Sequence, residues 1–208
     1  MSNTPQAQGA RLMMILPAAP ALGRSAVAAR VRAGDMAAVI ARMGEGKGER
    51  ERLRGLMAPV QEADAALIVD GRADVAIEID TDGAHLSSVA ALKKAIGGLK
   101  PARIAGAGGI TSRHDAMEAG EAGADYVLFG GWGADAPPFE EVLDFVAWWA
   151  EVFEVPCVGV ASNAEEAEQL ARAGADFVAL SGDWITGAEA EARIAEIAAR
   201  IAAVEPTP

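Results

Sequence analysis

The sequence predicts a (β/α)8 barrel, and three observations carry that prediction. Strand-like and helix-like phrases alternate through the 208 residues with no linker and no low-complexity insert. The strand phrases are apolar runs without polar alternation, as expected of strands buried on both faces of a parallel sheet. One unit is also written nearly twice. Ala122-Gly123-Ala124-Asp125-Tyr126-Val127-Leu128-Phe129-Gly130-Gly131 returns as Ala173-Gly174-Ala175-Asp176-Phe177-Val178-Ala179-Leu180-Ser181-Gly182. In each copy a glycine can close the preceding helix in the left-handed conformation, a buried strand follows, and small residues make the next loop.

The strand phrases, in order, are Leu12–Leu16, Ala37–Ala41, Ala65–Asp70, Gly83–Leu86, Arg103–Ala107, Tyr126–Phe129, Cys157–Val160 and Phe177–Leu180. Helical patterns follow them at Leu22–Ala33, Glu49–Val60, Arg72–Ile79, Val89–Leu99, Arg113–Ala122, Phe139–Phe153, Ala164–Ala173 and Ala188–Ala202. Ser112 with Asp115, Ser162 with Glu165, and Thr186 with Glu189 have capping-box spacing. The fourth unit is the least marked, because Ala76-Ile77-Glu78-Ile79 also has the period of a strand. An open doubly wound sheet is the alternative, but it uses five or six strands at this length, and eight units favour the closed barrel. Residues 1–10 are polar and read as a disordered start, leaving 11–208 as one barrel domain.

The net charge of −12 argues against nucleic acid and anionic membranes as partners. A small anionic ligand stays open, because a local loop can be positive in an acidic protein. Cys157 is the only cysteine, so no intramolecular disulfide forms, and its Pro156-Cys157-Val158-Gly159-Val160 setting reads as core. No apolar run approaches the roughly 20 residues of a membrane span. A cytoplasmic protein is the expectation, with Trp148-Trp149 an interface candidate should the chain form a homo-oligomer.

In such a barrel the working face lies at the C-terminal ends of the strands. Reading those ends gives Asp70 and Arg72 after the third strand and His85 at the fourth as candidate catalytic residues. Asp70 ends an apolar run that gives a carboxylate no packing reason to be there. His85 suits an acid/base or a donor to ligand; equally, a backbone carbonyl could satisfy it. Arg42, Gly159, Val160, Ala161, Ser162, Ser181 and Gly182 are candidate phosphate-binding residues, since short small-residue loops entering helices suit anions. Against this, Ser162 could be only a helix cap, Arg42 and Arg72 could be paired surface residues, and Asp183 disfavours a dianion. Gly108, Gly109, Thr111 and Ser112 form a second anion-site candidate. Trp132 and Trp184 could wall an aromatic ligand. No residue is assigned to a metal from these patterns.

Val69-Asp70-Gly71-Arg72-Ala73-Asp74-Val75-Ala76-Ile77, Asp82-Gly83-Ala84-His85-Leu86 and Gly123-Ala124-Asp125-Tyr126-Val127-Leu128-Phe129-Gly130 stand in an order that resembles the thiamine-phosphate synthase family. The resemblance runs from about residue 12 to 202. It implies a small (β/α)8 barrel that joins hydroxymethylpyrimidine pyrophosphate to thiazole phosphate, displacing pyrophosphate with Mg²⁺. The family reads Gln-Leu-Arg-Glu-Lys where this chain has Val39-Ile40-Ala41-Arg42-Met43, and Asn-Asp-Arg where it has Asp70-Gly71-Arg72. A metal carboxylate is thereby replaced by Gly71, with Asp70 beside it. Gly-Gln-x-Asp becomes Ser87-Ser88-Val89-Ala90, and the Thr- and Lys-bearing loop after strand six becomes Gly131-Trp132-Gly133-Ala134-Asp135. The Gly-Gly-Ile after strand seven becomes Val160-Ala161-Ser162, while the Gly-Gly-Ile-Thr of residues 108–111 falls after strand five. The tautomerase branch of the family has a His nearest Thr111, so that activity is not implied.

Three readings follow. The chain is a divergent thiamine-phosphate synthase, a non-catalytic phosphate- or thiazole-binding or regulatory barrel, or an enzyme for another phosphorylated small molecule. All three keep a phosphorylated small molecule as the partner. Mg²⁺ enters only through the resemblance, and its ligands are poorly matched.

Overall fold

The computed structural model describes residues 9–19, 22–134 and 136–204. Eight parallel strands close into a barrel in chain order: β1 (Arg11–Leu16), β2 (Ala38–Ala41), β3 (Ala66–Asp70), β4 (Gly83–Leu86), β5 (Ile104–Ala107), β6 (Tyr126–Phe129), β7 (Cys157–Ala161) and β8 (Phe177–Leu180). The helices are α1 (Arg24–Ala33), α2 (Glu49–Gln61), α3 (Ala73–Ile79), α4 (Val89–Leu99), α5 (Arg113–Glu121), α6 (Phe139–Val152), α7 (Ala164–Arg172), the short α8 (Asp183–Thr186) and α9 (Ala190–Ala202). The predicted fold class is therefore the observed one. Of the expected disordered start, residues 1–8 lie outside those described. No helix among the described residues is long and apolar enough to cross a membrane.

Strand parity divides the core in two. Met13, Ile15, Ala38, Ile40, Ile68, Tyr126, Leu128, Val158, Val160 and Ala179 fill the barrel interior, while the alternate residues pack outward against the helices. Cys157 belongs to the outer layer and is fully buried, as expected of a packing cysteine.

The duplicated phrase gives duplicated geometry. Gly123 and Gly174 take φ of +92° and +94°. The N–H groups of Gly123 and Ala124 donate back to Gly120 and Ala119, and those of Gly174 and Ala175 to Ala171 and Leu170. The aspartate of each phrase then clamps the neighbouring strand: Asp125 accepts from Ala105 N–H at 2.7 Å and Asp176 from Cys157 N–H at 2.8 Å. Asp82, before β4, does the same to Leu67 N–H at 2.7 Å. The AGAD phrase is thus a strand-entry device in which one residue both donates to and accepts from its neighbour.

Ala76–Ile79 lies in α3, as the helical pattern Arg72–Ile79 predicts. Local expectations are corrected at two places. The cap of α7 is Asn163, whose side chain accepts from Glu166 N–H, because β7 runs on to Ala161 and leaves Ser162 one residue too early. Thr186 lies inside α8, so Glu189 stands at the N-cap of α9 with no side-chain cap bond. The Ser112 cap is as expected: its hydroxyl oxygen accepts from Asp115 N–H at 3.1 Å.

Candidate functional site

Interior parity continues past the strand ends and aims Arg42, Asp70 and His85 into the mouth. Asp70 and His85 are register partners on β3 and β4. Both line a cavity of about 390 Å³ that also meets Ser87, Thr111, Leu128, Trp132 and Glu141. Arg42, Ser181, Gly182 and Gly133 line an adjoining cavity of about 170 Å³. Trp132 borders both cavities. The Arg42 guanidinium lies 5.9 Å from the Trp132 ring and 3.7 Å from the Asp70 carboxylate. Burial raises the Asp70 pKa, and the Arg42 charge opposes that rise.

His85 is only 2% exposed. Its Nδ1 is 3.0 Å from the Tyr126 hydroxyl, and the two rings stack at 5.8 Å with an interplanar angle of 9°. Two glycines, Gly106 of β5 and Gly108 just past its end, make room for this pair. A methyl at Gly106 would overlap the Tyr126 ring, and one at Gly108 would overlap the His85 imidazole. Trp132 tilts against the imidazole with centroids 5.7 Å apart. Burial lowers the His85 pKa to about 4, so the imidazole is neutral at pH 7. Tyr126 is pushed the other way, first by burial and then by the charges of Asp70 and Asp125.

The remaining sequence-predicted residues scatter. Arg72 sits outside both cavities, forked on Asp74 at 2.8 and 2.6 Å. Gly108 lies under the imidazole, and Gly109 and Thr111 line the larger cavity. Ser112 and Thr111 both donate to the Asp115 carboxylate. On β7, Gly159 faces α7, where a Cβ would come 2.6 Å from Leu170, while Val160 is in the interior core and Ala161 in the outer one. The expected unpaired amide of Ser162 is instead taken by Glu166 Oε2 at 2.6 Å, and its carbonyl accepts from Trp184 Nε1. The Ser162 loop and the Thr111–Ser112 loop therefore each engage a carboxylate of the chain itself, whereas Ser181 and Gly182 line the smaller cavity.

Sequence reasoning missed Tyr126 and Glu141 as lining or supporting residues. Tyr126 is the only tyrosine of the chain, and only the strand register shows it on an interior position opposite Gly106 of β5.

A sequence model described as thiamine monophosphate synthase matches residues 14–183. The chain belongs to that family. The thiamine-phosphate synthase of Rhodospirillum centenum is 36% identical over 83% of this chain and 87% of its own. That of Erythrobacter litoralis is 37% identical over 67% and 68%. The thiamine phosphate pyrophosphorylase structure from Pyrococcus furiosus superposes with a TM-score of 0.73 at 23% identity, covering 92% of this chain and 95% of that one, a likeness of fold.

Mg²⁺ dependence is general among thiamine-phosphate synthases. Among the described residues no group of three or more His, Cys, Asp or Glu is placed to hold a metal ion. Asp70 has a guanidinium as its charged neighbour, which opposes a cation there.

Proposed function

We propose that this family member binds a phosphorylated heteroaromatic molecule of the kind used in thiamine-phosphate formation, and that it forms thiamine phosphate very slowly or not at all. One observation carries the reading. Trp132 stands between a larger cavity walled by aromatic rings and a smaller one lined by Arg42, Ser181 and Gly182. A ring lying against His85 and Trp132 can therefore place a phosphate beside Arg42. Arg42 would neutralise that phosphate, exchanging its ion pair with the 18%-exposed Asp70 side chain for a charge-assisted bond. The Ser162 amide would join only if Glu166 swung away.

Slow chemistry follows from what a departing pyrophosphate needs. Its developing charge must meet preorganised cations. Met43, Gly71 and Ala90 stand where the family resemblance expects such support, and none carries charge. Losing one well-placed electrostatic contact costs roughly 10²–10³ in rate. The binding half is tested by calorimetric titration with thiamine phosphate and with inorganic phosphate. Saturable binding that falls about tenfold or more in Arg42→Ala supports the placement; binding unchanged by Arg42→Ala contradicts it.

A further inference from the structure

We infer that Tyr126 is a positioning residue that fixes His85 in its Nε2–H tautomer, making the imidazole a permanent hydrogen-bond donor to the larger cavity. The inference deepens the proposed ligand site and rests on that reading for the ligand alone. The Tyr126 phenol is buried, and among the described residues its one hydrogen-bond partner is His85 Nδ1 at 3.0 Å. A buried O–H with no acceptor loses a hydrogen bond it would have made in water, so the phenol proton must point at Nδ1. Nδ1 is then the acceptor, and a neutral imidazole with an unprotonated Nδ1 carries its proton on Nε2.

The geometry keeps this arrangement. The near-parallel His85 and Tyr126 rings lie against Gly108 and Gly106, and Trp132 tilts against the imidazole, an arrangement that keeps Nδ1 on the phenol. Asp70 and Glu141 also line the cavity, yet neither makes a hydrogen bond to His85 among the described residues. The site therefore discriminates. It takes a ring that offers an unprotonated nitrogen or a carbonyl oxygen at Nε2, and it disfavours an equally shaped ring with no acceptor there.

The test needs no ligand for its first arm. In the full chain labelled with ¹⁵N-histidine at pH 7, Nε2 of His85 is expected to be the protonated nitrogen and Nδ1 the unprotonated one. Tyr126→Phe, which keeps the ring, is expected to mix the two tautomers. A protonated Nδ1 in the unaltered protein would overturn the inference, as would an unchanged spectrum in Tyr126→Phe. The second arm compares thiamine phosphate with its analogue carrying benzene in place of the pyrimidine. The unaltered protein should prefer the former by about tenfold, as one hydrogen bond allows, and Tyr126→Phe should lose that preference. Equal binding of the two would overturn the specificity role. Binding of neither would sink the proposed ligand class instead, while the tautomer result still decides the inference.

Discussion

The imidazole of His85 and the phenol of Tyr126 share one hydrogen bond 3.0 Å long across the strand that lies between theirs, with the phenol ring over a glycine of that strand and the imidazole over the glycine just past its end. β4 supplies the first ring, β6 the second, and Gly106 of β5 with Gly108 just beyond it the space. A polar contact this deep in a barrel carries consequences for stability as well as for binding.

Acid should expose the first. The His85 pKa falls from 6.5 in the unfolded chain to about 4 in the barrel, so between those values the unfolded chain binds more protons. The contribution of neutral His85 is therefore complete above pH 6.5 and lost as pH falls toward 4. Asp70, whose pKa is raised by burial, works in the opposite sense, and Tyr126 stays protonated throughout. Urea unfolding at pH 6.5 and 5 should show a loss of roughly 2 kcal/mol that shrinks in His85→Gln. Equal losses in both proteins would remove His85 from the account.

Gly106→Ala and Gly108→Ala should each destabilise the barrel by about 1–3 kcal/mol, since a methyl at either position overlaps an aromatic ring that must shift off its hydrogen-bonded partner. Gly97→Ala, in the exposed part of α4 with nothing near its Cβ, should be neutral or stabilising. Thermal melts of the three variants order them directly.

The strand clamps make a signed prediction. Replacing Asp82, Asp125 or Asp176 by Ala leaves a strand N–H without its carboxylate and should cost about 1–3 kcal/mol. Before β2 the equivalent residue is Ala37, whose N–H already donates to Leu12 at 2.8 Å, in the manner of Asp82 to Leu67. Ala37→Asp should therefore add a clamp and stabilise by about 0.5–1.5 kcal/mol. A destabilised Ala37→Asp would show that the device does not transfer to the first unit.

The strands were legible because a strand buried on both faces leaves an unbroken apolar run, and because one entry phrase is repeated around Asp125 and Asp176. The α7 cap was ambiguous for a specific reason. Ser162 with Glu165 and Asn163 with Glu166 have the same spacing, and only the length of β7 chooses between them. Asp183–Thr186 is too short for any helical period to show. At the site, Asp70 and His85 could be placed at strand ends from their interruption of apolar runs. Tyr126 could not, because an aromatic residue inside such a run looks like packing until register sets it against Gly106. The closure of the Ser162 amide by Glu166 is likewise a tertiary fact, set by how α7 begins.

Arg42→Ala should act on Asp70 as well as on phosphate. The guanidinium is the charge that holds down the buried carboxyl, so its loss should move the Asp70 pKa further up, seen as a later titration of its side-chain carbon resonance. An unmoved titration would mean that the 3.7 Å pair is too solvated to matter.

The most direct test of the central claim is steady-state formation of thiamine phosphate by the purified chain from hydroxymethylpyrimidine pyrophosphate and thiazole phosphate, with and without Mg²⁺. The account predicts turnover at least about 10²-fold below the ~1–10 s⁻¹ of an ordinary enzyme, alongside measurable binding of thiamine phosphate. Turnover of ~1–10 s⁻¹ with Mg²⁺ would contradict it and would show that Arg42, Asp70 and their neighbours complete the site.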